Sequence, residues 1–151
     1  MSRQTKQLRL WTLDKVKNAL PLLRAILLDM RERCLEGNAI LLQTKRLKEK
    51  PGIPTRNDMV LLQNLDYENS ANDTALKGNM EELLALGAFC SDPICAVSLM
   101  PFHAPHSNGI VHSPAWFVYS PFGNELYWRL DRDPETMRRN VKDLDSHVEI
   151  K

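Results

Sequence analysis

The chain has 151 residues, 43% hydrophobic and 26% charged, ordinary values for one globular domain. Twenty basic side chains against nineteen acidic ones leave a formal net charge of +1. That balance gives no electrostatic footing for nucleic acid or an anionic membrane as the main partner, and a nucleic-acid role through scattered arginines ranks last.

The stretch after the basic first residues is broken by Asp14, Lys15, Lys17 and Arg24, so neither a secretory core nor a membrane span is expected. An odd number of cysteines (Cys34, Cys90, Cys95) fits reduced thiols and points to a cytoplasmic protein.

Thr12 is a suitable N-cap for a first helix, with Asp14 in its first turn. Seven side chains then alternate at spacings of three and four: Leu13, Val16, Leu20, Leu23, Leu27, Met30 and Cys34. That rhythm lays one seam along a helix that needs a partner. Leu22 and Ile26 widen the stripe. Pro21 predicts a kink and Gly37-Asn38 an interruption, with Ile40, Leu41, Leu42 and Leu47 carrying a further turn or two. Lys48 to Pro54, with two prolines and a glycine, reads as the turn of a helical hairpin.

A second helix is expected from about Arg56–Asp58 to Gly87, where glycine would supply the left-handed residue past the end. Its seam falls on Asn69 and Asn72 at the centre, and Gly78-Asn79 is a weak point. Beyond Gly87 the aromatics and prolines concentrate. Strands are predicted over Ile94–Phe102, Trp116–Tyr119 and Glu125–Leu130, the last two joined by the turn Ser120–Asn124. Asp133-Pro134 would cap a short last helix through Met137 and Val141. The fold class is therefore α+β: a long antiparallel helical hairpin (12–87), a small antiparallel sheet (89–131), and a short C-terminal helix and tail (132–151).

Trp11-Thr12-Leu13, Ala19-Leu20-Pro21-Leu22-Leu23-Arg24 and Glu82-Leu83-Leu84-Ala85-Leu86-Gly87 are followed by Phe117-Val118-Tyr119 and Leu126-Tyr127-Trp128. This order of motifs resembles the bacterial DUF2203 family, small proteins of unknown function, from about residue 10 to 140. The resemblance implies a helical hairpin with a small sheet and no particular reaction. The family tends to place histidine after the late aromatic pair, where this chain has Arg129, and the loop from Met100 to Pro114 is longer and richer in histidine.

Residue types that bind zinc gather at Cys90, Cys95, His103, His106 and His112. Their spacing lacks the tight pairs of a knuckle turn, and the competing reading has half-buried thiols beside Phe89 and Ile94 with histidines in an exposed loop. Covalent catalysis by either cysteine has no activating helix terminus or basic cluster behind it. Asp66, Glu68, Asn69, Asn72, Asp73 and Asn79 could line a polar groove, but asparagine at a seam position more simply fixes register. Short basic runs at Lys45–Lys50 and Arg138–Arg139 read as solvated faces. The strand aromatics lack interleaved basic residues and make a poor base-stacking platform.

The expectation is a non-enzymatic, self-associating interaction module, a two-fold dimer whose interface uses Leu13, Val16, Leu20, Leu23, Leu27, Met30, Asn69 and Asn72. It needs no cofactor. The alternative is a zinc-binding protein or metalloenzyme built on the Cys90–His112 region.

Overall fold

In a computed structural model, which describes residues 10–105 and 112–144, Thr12 accepts the N–H of Lys15 and opens α1, Leu13–Lys48. The helix runs unbroken for 36 residues, roughly 54 Å at 1.5 Å per residue. Pro21 sits within it on the exposed side, where water can meet the backbone groups the ring leaves unpaired. The interruption expected at Gly37-Asn38 does not occur, for a reason that lies in the opposite helix.

That helix, α2, covers Arg56–Leu86, as the sequence suggests. Thr55 and Asp58 form a reciprocal capping box, each side chain taking the other's backbone N–H. At the far end Gly87 is left-handed at φ 88°, and the bonds Ala88 N–H to Leu83 and Gly87 N–H to Leu84 close the last turn. Cross-helix contacts between Asp29 and Asn79, Arg33 and Asn72, and Lys50 and Asp58 run in opposite directions along the two helices, so the hairpin is antiparallel. All but one of the less exposed residues of α2 (Asp58, Leu62, Leu65, Asn69, Asn72, Leu76, Asn79, Leu83, Leu86) keep one alternation of four and three. Ala75 is the exception.

The sheet is a four-stranded antiparallel meander in the order β1 (Ser98–Pro105), β2 (His112–Ser120), β3 (Glu125–Leu130) and β4 (Arg139–Asn140). The first strand starts four residues later than the sequence pattern suggests. Asp92 bends residues 93–96 into a turn by accepting the Ile94 N–H on its carboxylate and the Ala96 N–H on its carbonyl. Pro101 and Pro105 lie on β1, an edge strand, where a missing N–H does no harm to a ladder. The helix expected after Pro134 is displaced: 134–137 turn, β4 follows, and helical backbone comes at 142–144.

The inner face of the sheet carries Met100, Phe102, Ala115, Phe117, Trp128 and Leu130. Phe102 stacks on Phe117 at 3.9 Å between centroids and meets Trp128 edge-on. This face packs on the first half of α1, through Val16, Leu23, Ile26, Leu27 and Met30, and on Leu83 of α2. Trp11 fastens the corner: its N–H donates to Pro101 and its indole to the carbonyl of Gly87. The core cluster holds no residue between Met30 and Leu76, so the rest of the hairpin projects as a two-helix arm.

Candidate functional site

The thiols of Cys90 and Cys95 converge on one residue of the 91–96 turn, Asp92. Cys90 donates to its carbonyl at 3.5 Å and Cys95 to its carboxylate at 3.2 Å. Burial raises the Cys90 pKa, and the Asp92 carboxylate raises that of Cys95, so both are held as thiols, the opposite of an activated nucleophile. His103 is exposed on the outer face of β1, across from Pro114. His106 lies outside the described residues. His112 is placed only by its backbone, which pairs with Pro105. Among the described residues no group of three or more His, Cys, Asp or Glu side chains could hold a metal.

Of the residues read as an interface, Val16, Leu23, Leu27 and Met30 are fully buried in the chain's own core, with Leu13 and Leu20 packed against it. The seam is covered from within by the sheet and by α2. Asn72 enters the hairpin at Gly37 and donates from Nδ2 to the carbonyl of Arg33 at 2.7 Å. A Cβ on Gly37 would stand 3.1 Å from that nitrogen, so the glycine leaves the notch that the amide fills. Asn79 donates to Asp29, which also takes Arg33 at 2.9 Å; these two bonds hold the Asp29 carboxyl below its usual pKa. Asn72 and Asn79 therefore bond across the hairpin through their amide nitrogens. Asp66, Glu68 and Asp73 instead face water.

The arm carries surface the sequence pattern did not single out. Of its large apolar residues only Ile40 and Leu65 are buried, whereas Leu35, Leu41, Leu42, Met59, Val60 and Leu61 are each at least two-fifths exposed. Its charge is segregated. Lys45, Arg46, Lys48, Lys50 and Arg56 surround the tip against Glu49 and Asp58, the latter already bridged to Lys50. Along α2, residues 66–82 expose Asp66, Glu68, Asp73, Glu81 and Glu82 against Lys77 alone.

A second feature lies on the outer face of the sheet. Leu99, Val118 and Tyr127 stand side by side across three strands and floor a cleft of about 270 Å³, with Arg129 at its end. The 91–97 segment walls one side and Glu135 lines the other. The sequence marked Arg129 only by its contrast with histidine and did not mark Glu135, because the two come to one cleft only through strand register and the turn after β3.

No helix among the described residues is long and apolar enough to cross a membrane. Comparison with family models, curated proteins and solved structures returns no match to this chain.

Proposed function

We propose that this chain is a non-enzymatic, self-associating module in which two copies pair through their hairpin arms. The observation that carries the reading is the set of half-exposed leucines and other large apolar residues on a two-helix arm that the sheet does not cover. Covering one such leucine contributes about 1 kcal/mol, half of its full burial, so several together support a stable dimer. The resemblance to DUF2203 belongs to the same reading and brings no reaction with it.

The charge pattern favours an antiparallel arrangement. It sets the basic tip of one arm beside the acidic α2 shaft of the other, whereas parallel arms would oppose like charges. The interface of this proposal is therefore the outer surface of the arm and not the seam from Leu13 to Met30, which is already filled.

Sedimentation equilibrium at micromolar concentration tests it. A dimer is expected, and Leu42→Glu with Leu61→Glu should return a folded monomer. A wild-type monomer throughout that range would sink the proposal. For orientation, Lys45→Glu/Lys48→Glu and Glu68→Lys/Asp73→Lys should each pair poorly alone and regain association when mixed. Failure of the mixture to associate would remove the antiparallel arrangement and leave the dimer standing.

A further inference from the structure

The outer-face cleft presents two opposite charges that do not neutralise each other. Arg129 is only partly exposed, yet no hydrogen bond or ion pair is found for its guanidinium among the described residues. Three other arginines are bonded: Arg31 with the Ile94 carbonyl, Arg138 with Glu125, and Arg139 with Asp133. Glu135 lines the same cleft and is not paired with Arg129. Both line one cleft with the apolar floor of Leu99, Val118 and Tyr127.

Both walls are fixed. Asp92 holds the 91–97 segment by its bonds to Ile94 and Cys95, and Asp133 holds the Glu135 turn through a two-pronged bridge to Arg139 at 2.7 and 3.1 Å. A cation held beside apolar surface without a bonded anion keeps donors that a ligand can take.

The charges select the ligand. A simple anion would meet Arg129 but also two carboxylates, Asp92 and Glu135. A simple amine would meet Glu135 but be repelled by Arg129. A species carrying both charges satisfies both, and the cleft lies near the small end of the size range for ligand sites. We infer that this cleft binds a small zwitterion, an α-amino acid with an apolar side chain. Its carboxylate pairs with Arg129, its ammonium faces Glu135, and its side chain lies over Leu99 and Val118. Dimerisation through the arm is not needed for this binding.

Titration followed by amide NMR on the full chain tests it with three matched probes: L-valine, isovalerate, which lacks the amine, and isobutylamine, which lacks the carboxylate. Valine should give saturable shifts centred on Leu99, Val118 and Arg129, with each half-probe weaker by about tenfold or more. Arg129→Gln and Glu135→Gln, both surface changes that keep the stem, should each raise the Kd for valine by about tenfold, with the dispersion of the same spectra showing that the variants are folded. Absence of saturation at about 10 mM valine, shifts centred elsewhere, equal binding of isovalerate, or an unchanged Kd in Arg129→Gln would overturn the inference.

Discussion

Two glycines in the middle of long helices have opposite meanings. Nothing lies within 4 Å of a Cβ built on Gly78, so Gly78→Ala should stabilise by about 1 kcal/mol, the ordinary helix preference. At Gly37 the same gain is opposed by the Asn72 amide at 3.1 Å. Gly37→Ala should therefore yield the full gain of about 1 kcal/mol only when Asn72→Ala has emptied the notch. Urea denaturation of the four-member cycle, at one protein concentration, decides it. Equal gains in both backgrounds would show that Asn72 does not hold the helices at that spacing. The residue types were visible in the sequence at this site, but their meeting was not. Asn72 and the Arg33 carbonyl are 39 residues apart, and only the turn at 49–55 brings them level.

At the scale of elements, the helices were legible because their caps and their spacing agree. Thr12, Thr55 and Gly87 each end a run whose apolar positions repeat every three or four residues. The strands were less so, since Ile94 alternates as a strand should while Asp92 captures its N–H and turns the chain. The last element was hidden for a similar reason. Asp133 does not begin a helix; it accepts Leu130 N–H and both prongs of Arg139, and so lays residues 139–140 against β3. The Arg139 guanidinium, followed by the backbone bond, holds the Asp133 carboxyl below its usual value of 3.8.

With the folded pKa lowered, this contribution is complete above the ordinary carboxylate range and is lost as pH falls through the lower folded value. The indole of Trp128 reports on it, because it donates to the carbonyl of Asn140 at 3.0 Å. Its N–H resonance should hold steady from neutral pH down to about 4 and move below that. In Asp133→Asn it should stand near the acid position already at pH 7, with a loss of about 1 kcal/mol for a bridge that is partly open to water. A variant resonance unchanged from wild type would show that β4 is held by other means.

Within each half of the molecule, the elements that pair are neighbours in the chain. The sheet pairs its strands in chain order, and the two helices follow one another around a short turn. Each half can assemble from contacts close in sequence, which is the condition for rapid formation. Joining them is different, because Trp11 must find Gly87 across a separation of 76 residues and then Pro101 beyond it. With α1 and α2 already antiparallel, that step orders the chain around Trp11 against both halves at once. Replacing the indole by a ring without a donor, Trp11→Phe, should therefore slow folding in stopped-flow measurements and leave the unfolding rate nearly unchanged. Faster unfolding with unaltered folding would place the corner after the barrier. If folding slows as expected, the small aromatic clasp at the foot of the hairpin sets the pace at which hairpin and sheet become one body.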